Sequence, residues 1–207
     1  MDFSFSDEQQ MLLDTTRRFI SERYSFEFRQ GVRASAAGWS RETWTQLGEL
    51  GLLAITLPED EGGIGAGPVG TMLVGNAIGE GLLLEPFLAS AVIATQVVVG
   101  LASPAQREHW LPRLASGELI AVLAHEESGD IDTVADLQTR ATKHGEGWRL
   151  DGAKALVYHA PIADLLLVSA RTDDDVIALF AVPAGTPGLT LAPCLTVDDQ
   201  CAASLEL

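Results

Sequence analysis

The stretch REHWLPRLASGELIAVLAHEE, Arg107–Glu127, contains the point at which the pattern of the sequence changes. Its first part has helical apolar spacing and predicts a helix that ends at Gly117. From Leu119 onward, short apolar runs replace that spacing. We therefore predict two domains: an α-helical domain over residues 1–118 and a β-domain over residues 119–207.

Start signals for helices are clear in the first domain. Ser6 with Gln9 forms a capping box, and Ser103, Pro104 and Gln106 supply an N-cap, a proline at the first helical position and a box partner. Apolar spacing predicts further helices from Ser40 to Gly51, around Val69–Ile78 and over Phe87–Leu101.

Short apolar runs follow one another in the second domain without a helical pattern between them. Strands are predicted at Ile120–Ala124, Trp148–Leu150, Leu165–Ala170 and Val176–Val182. The pair Asp151-Gly152 between alternating residues indicates a hairpin turn, because type I′ turns need positive φ. The predicted fold class is α+β: an all-helical domain followed by an antiparallel β-sheet or barrel domain.

Composition excludes several classes of partner. The chain of 207 residues has a formal net charge of -16 and only 13 basic residues, so it has no basic surface for nucleic acid or an anionic membrane. We find no signal peptide and no apolar segment that predicts a membrane span. Cys194 and Cys201 match no zinc spacing or disulfide framework, so reduced thiols and a cytoplasmic location are expected.

The loop AHEESGDIDT, Ala124–Thr133, combines a histidine with several acids, which suggests a metal site, a carboxylate cluster or a ligand-binding loop. An extended backbone would place His125 and Glu127 on one side and Glu126 on the other, which separates the metal ligands. The glycine and distal glutamate of a calcium loop are also missing. A solvated acidic turn is the simplest reading from the residue chemistry.

A glycine motif precedes the helix predicted at Val69–Ile78. Gly65, Gly67 and Gly70 spell G-x-G-x-x-G, which can indicate a dinucleotide-binding turn. Three acids lie where a pyrophosphate would bind, and Pro68 removes a backbone N–H that should donate to it. We therefore interpret these glycines as part of a surface loop.

Several segments, taken in order, resemble the acyl-CoA dehydrogenase family. They are FSDEQQMLLDTTRRFISE near the start, LGELGLLAITLPEDEGGIG from Leu47 to Gly65, the opening stretch, and TRATKHGEGWRLDGAKALVYHAPIADLLLVSART from Thr139 to Thr172. The resemblance covers nearly the whole chain. It implies a helical N-terminal domain and a middle β-domain, and it implies that the family's C-terminal helical domain, which carries the carboxylate base, is absent from this chain.

The resemblance also implies FAD as the cofactor. The family loop reads Thr-Glu-Pro-x-x-Gly-Ser-Asp, so His125 takes the place of a flavin-binding threonine and Ile131 that of a serine on the acyl-CoA side. Backbone just before the threonine also contacts the flavin, which here means Val122 and Ala124.

In the second flavin segment, which follows Gly-x-Lys, Leu156 takes the place of a tryptophan. Tyr158 there keeps a hydroxyl that can donate.

The function implied is the α,β-dehydrogenation of an acyl-CoA thioester with hydride transfer to FAD, in fatty acid or steroid catabolism. Glu126 is the acid nearest the expected site, but its family counterpart is not the base, so no catalytic residue is assigned and this chain alone is expected to be inactive. An electron-transfer protein would be the acceptor. The alternative is a non-catalytic subunit of a heteromeric acyl-CoA dehydrogenase, since the flavin contacts are altered; a homo-oligomer is the other expected assembly.

Overall fold

The computed structural model describes residues 4–129 and 136–207. The chain forms two compact units, Met1–Leu119 and Ile120–Leu207. The first contains helices and the second contains strands, which confirms the predicted fold class. Across the two described ranges, no helix is long and apolar enough to cross a membrane.

The first unit is built from helices in chain order. They are α1 (Asp7–Arg23), α2 (Phe26–Ala34), α3 (Arg41–Glu49), α4 (Gly67–Glu80), a π-helix (Phe87–Ala94) that continues into α5 (Thr95–Leu101), and α6 (Pro104–Ala115), with short 3-10 turns at Leu52–Ala54 and Glu59–Glu61. Both predicted capping boxes form: the Ser6 hydroxyl accepts from the Gln9 backbone N–H at 3.2 Å, and that of Ser103 accepts from Gln106 at 3.4 Å. Local polar residues therefore define these helix starts, because they satisfy backbone donors that the helix itself cannot.

The end of α6 is held against the core of the first unit. Trp44 and Leu47 on α3 are fully buried. The indole N–H of Trp44 donates to the Gly117 carbonyl at 3.0 Å. Gly117 has φ +74°, and a Cβ there would lie 2.8 Å from the Trp44 Nε1. Glycine is required at this helix end both by the backbone conformation and by the close approach of the tryptophan.

The second unit contains two open sheets. Its strands are β1 (Ala121–Ala124), β2 (Arg140–His144), β3 (Gly147–Asp151), β4 (Ala153–Tyr158), β5 (Leu165–Thr172), β6 (Ile177–Pro183), β7 (Thr190–Leu195) and β8 (Cys201–Glu206), with a 3-10 turn at Ala160–Ile162. One sheet has the order β1-β5-β2-β3 with β6 also paired to β5, and the other has the order β4-β8-β7. Most pairs are antiparallel, but β5 pairs in parallel with both β1 and β2. Local patterning does not specify these two parallel pairings, because the partners are far apart in sequence.

The hairpin predicted at Asp151-Gly152 is wrong. Strand β3 pairs with β2 across the turn after His144, whereas β4 pairs with β8 in the other sheet. Residues 151 and 152 therefore form a crossover between the sheets. Gly152 has φ +154°, and a Cβ there would lie 2.7 Å from the Thr139 Oγ1. Glycine at this position allows the backbone to approach Thr139 closely and does not form a tight turn. An Asp-Gly pair is compatible with either structure, so the sequence signal was ambiguous.

Candidate functional site

The two segments expected to contact a cofactor lie next to each other in the second unit. The backbone N–H of Ala155 on β4 donates to the Glu126 carbonyl at 2.8 Å, just beyond the end of β1. The Lys154 ammonium donates to the His125 carbonyl at 3.3 Å. The end of β1 and the middle of β4 therefore form one surface, although they belong to different sheets.

A bulge in β4 determines which side chains reach that surface. The pairing of β4 with β8 shifts register between Lys154 and Val157, and Leu156 has φ +48°. Lys154 and Val157 are buried, whereas Leu156 is 47% and Tyr158 is 42% exposed. Bulges often direct side chains out of a sheet near functional sites. The result is an exposed leucine beside an exposed tyrosine.

The side chains of Val122 and Ala124 are buried, so only their backbone atoms could bind a ligand. Among the described strands, β1 pairs in its sheet with β5. Ile131, the residue expected on the substrate side, lies outside the described residues.

Beneath the surface, a buried ion pair connects these segments. Lys154 Nζ lies 2.6 Å from Glu127 Oε1 and 3.1 Å from Ser169 Oγ, and its side chain has no exposed area. Glu127 also accepts from the backbone N–H groups of Gln138 (2.7 Å) and Thr139 (3.0 Å), and from the Thr139 hydroxyl. Glu127 thereby anchors the chain on both sides of the loop that follows β1.

Hydrogen bonds within this pair favour the charged form of both side chains. Burial raises the pKa of Glu127, but the hydrogen bonds from Lys154, Thr139 and Gln138 outweigh it and lower the pKa to about 2. Burial lowers the pKa of Lys154, and its hydrogen bond to Glu127 opposes that shift. The short contact and the number of donors on the carboxylate indicate an ammonium–carboxylate pair.

His125 connects this buried network to the surface. Its Nδ1 lies 2.9 Å from Ser169 Oγ, and the residue is partly exposed. Neither His125 Nε2 nor the Tyr158 hydroxyl has a hydrogen-bond partner within residues 4–129 and 136–207. Two polar groups capable of donating therefore remain available on this surface.

A serine between a lysine and a histidine could suggest a nucleophile. Ser169 is only 2% exposed, so a substrate cannot reach its hydroxyl. Lys154 is paired with Glu127 and cannot act as a base without losing that partner. The arrangement is therefore an anchor and not a catalytic dyad.

Another histidine cluster in the second unit is structural. His159 is buried, with Nε2 3.0 Å from the Gln200 Oε1 and Nδ1 3.5 Å from the Cys201 sulfur. Burial lowers the pKa of His159 to about 4. A neutral, enclosed imidazole of this kind satisfies polar atoms in the core and cannot meet a substrate.

The surface residues fit a flavin ring, which needs an apolar face and donors for its carbonyl oxygens and ring nitrogens. Leu156 supplies exposed apolar area, and His125 and Tyr158 supply possible donors. A separate open groove of about 620 Å³ lies beside Thr139 and Arg140, and the residues expected to bind the flavin do not line it.

Sequence reasoning missed the roles of Glu127, Thr139, Lys154 and Ser169. Lys154 carried a signal, since it is one of two lysines in the chain and belongs to the Gly-x-Lys motif. Ser169 carried none, because a single serine in an apolar strand does not reveal its partners.

Comparisons with known proteins agree with this architecture. Residues 6–118 match the N-terminal domain of acyl-CoA dehydrogenases, and residues 121–201 match the middle domain. Mitochondrial isovaleryl-CoA dehydrogenase of Pongo abelii is 33% identical over 193 residues, which cover 89% of this chain and 46% of that protein.

Two solved structures are similar over nearly the whole chain. The ChsE4-ChsE5 complex from Mycobacterium tuberculosis matches with a TM-score of 0.88 and 29% identity, covering 100% of this chain and 55% of that chain. A glutaryl-CoA dehydrogenase from Mycobacterium smegmatis in complex with FADH2 matches with a TM-score of 0.88 and 26% identity, covering 98% and 53%. The chain spans about half the length of these relatives. With both domain matches in order along it, the chain belongs to the acyl-CoA dehydrogenase family.

Proposed function

We propose that this chain provides the helical N-terminal domain and the flavin-contacting β-domain of an FAD-dependent acyl-CoA dehydrogenase. The observation that carries the proposal is the contact between the two expected flavin segments, in which Ala155 N–H donates to the Glu126 carbonyl at 2.8 Å. The FADH2 complex of a related glutaryl-CoA dehydrogenase supports the choice of cofactor. The substrate is an acyl-CoA thioester of fatty acid or steroid catabolism.

The residues of this chain would bind and orient the cofactor. When bound, FAD supplies a two-electron acceptor for the hydride that leaves the β carbon of the thioester. His125 and Tyr158 would donate hydrogen bonds to the ring system, Leu156 would pack against it, and the backbone of Val122 and Ala124 would also contact it. The Lys154–Glu127 ion pair fixes the relative position of these segments.

We assign no residue among those described as the base that removes the α proton. In the sequence, Ile131 takes the position of the family serine that contacts the acyl-CoA. An electron-transfer protein reoxidises the flavin, and the enzyme works in the cytoplasm as an oligomer.

A second candidate is a non-catalytic subunit that pairs with an unlike, catalytic chain. The replacement of the family threonine by His125 and of the tryptophan by Leu156 favours it, because both changes weaken customary flavin contacts. The similarity to the ChsE4-ChsE5 complex, in which unlike chains pair, also supports it.

Flavin binding by the purified chain tests the proposal. We expect FAD titration, followed by absorbance and quenching of flavin fluorescence, to show saturable binding that Leu156→Arg abolishes. Leu195→Arg is the matched control, because Leu195 is 64% exposed in the same unit but lies on β7. Equal effects of the two variants would contradict the proposed site. Binding only after co-expression with an unlike family member would favour the second candidate.

A further inference from the structure

The three protons of the Lys154 ammonium are all used within the buried network. Its acceptors are Glu127 Oε1 at 2.6 Å, Ser169 Oγ at 3.1 Å and the His125 carbonyl at 3.3 Å. An ammonium only donates, so Ser169 Oγ must accept in this contact.

The single hydroxyl proton of Ser169 can then be donated to one of two acceptors. His125 Nδ1 lies 2.9 Å from Ser169 Oγ, and the Ala124 carbonyl lies 3.5 Å from it. The shorter distance is normal for a hydrogen bond and the longer one is at its limit. The proton therefore lies between Ser169 and His125, with Nδ1 as the acceptor.

A neutral imidazole that accepts at Nδ1 carries its proton on Nε2. His125 Nε2 makes no hydrogen bond to any part of the chain that the structure describes. We propose that Lys154 and Ser169 are positioning residues that hold the neutral His125 ring as an Nε2–H donor, which replaces the missing hydroxyl donor toward the flavin. The choice of flavin as the acceptor of this hydrogen bond rests on the proposed function. The tautomer of the His125 ring does not depend on it.

Nitrogen NMR of the flavin-free chain tests the positioning. Long-range proton–nitrogen correlations, recorded where the imidazole is neutral, should show an unprotonated Nδ1 and a protonated Nε2 for His125 in the wild type. Ser169→Ala should shift the signals toward an average of the two forms, and Ser169→Thr, which keeps a hydroxyl, should restore them. A predominant Nδ1–H form in the wild type overturns the inference whether or not the variants fold.

The matched control is Thr139→Val. It removes a fully buried hydroxyl whose hydrogen bonds go to Glu127 and to the Ala153 carbonyl, on the Glu127 side of the same network. The His125 signals should be unchanged in this variant. A change equal to that of Ser169→Ala would mean that the His125 tautomer responds to any disturbance of the buried network. The Ser169 hydroxyl would then not be the group that determines the tautomer.

A double-mutant cycle on FAD affinity tests the ligand. Ser169→Ala should weaken FAD binding about fivefold, which corresponds to the net contribution of one hydrogen bond. In a His125→Ala background, Ser169→Ala should not weaken binding further. Equal losses in both backgrounds would overturn the inference. Failure of the wild type to bind FAD would overturn the proposed function and the ligand assignment with it, while the NMR result would still decide the position of the ring.

Discussion

Two buried carboxylates, one in each unit, differ in how well they are satisfied. Glu127 accepts from a lysine, a threonine hydroxyl and two backbone N–H groups, and its pKa falls to about 2. Glu85, 3% exposed, accepts from the Ser40 backbone N–H at 3.1 Å, and its Oε2 has no partner among the described residues. Burial therefore dominates at Glu85 and raises its pKa to about 7. The same side chain is stabilised as an anion in one place and as a neutral acid in the other.

Glu85 should make the protein less stable as pH rises. Its folded pKa of about 7 lies above the ordinary value of 4.5, so the folded state holds a proton that the unfolded state releases. The stabilisation is complete below pH 4.5 and is lost as pH rises through 7, a change on the order of 3 kcal/mol. The lowered pKa of His159 makes stability rise over much of the same range, so the contribution of Glu85 must be measured as a difference between two proteins. In urea unfolding, the free energy of unfolding of the wild type minus that of Glu85→Gln should fall by this amount as pH rises from 4.5 to above 7.

Glu22→Gln on the exposed side of α1 is the control for this prediction and should leave the slope unchanged. A Glu85→Gln variant with the wild-type pH dependence would show that Glu85 does not ionise in this window.

Breaking the Lys154–Glu127 pair should be costly. Lys154→Met leaves a buried carboxylate without its cation, and removing one member of such a pair costs about 3–5 kcal/mol. Adding Glu127→Gln should recover part of the loss, because the remaining group is then neutral. Chemical unfolding measures both variants. The control is Arg149→Met, which breaks an exposed pair with Asp151 and should change the free energy of unfolding little.

At the scale of elements, the crossover between β3 and β4 determines the site. If Asp151-Gly152 were a hairpin, β4 would pair with β3 and could not present its bulge beside the end of β1. Instead Gly152 lies against Thr139, and its backbone N–H and carbonyl bond to Leu207 at the end of the chain. The glycine places β4 in the second sheet, and the bulge then exposes Leu156.

Alanine substitution should separate the conformational role of glycine from its steric role. Gly145→Ala, at φ +59° with open space around it, should cost about 1–2 kcal/mol for the left-handed backbone alone. Gly152→Ala should cost clearly more, because its Cβ would also lie within 3.0 Å of three Thr139 atoms. Thermal unfolding of the two variants measures the difference. Equal costs would mean that Thr139 can move aside freely.

At the scale of the whole molecule, charge is strongly unbalanced. The formal net charge of -16 places many acids on the surface and predicts self-repulsion that opposes folding. Sodium chloride should therefore raise the melting temperature by several degrees from low to moderate ionic strength. The double variant Lys154→Met/Glu127→Gln should show the same rise, since a buried pair is hardly screened. A melting temperature that falls with salt would indicate that attractive surface pairs dominate.

Much of the fold followed from local signals. The capping residues Ser6, Ser40 and Ser103 and the change of pattern near Leu119 are local properties, and the structure has the helices and strands in the expected order. The resemblance located His125, Leu156 and Tyr158, and their role in flavin binding stays a prediction.

Sequence by itself determined where α1, α3 and α6 begin, where strands replace helices and which family the chain resembles, because each depends on neighbouring residues or on their order. Only the tertiary structure decided the parallel pairings of β5, the crossover at Gly152 and the joining of Lys154 to Glu127, Ser169 and His125. These depend on distances between residues remote in sequence. The free energy of burying a charge or a hydroxyl depends on which partners folding brings within reach.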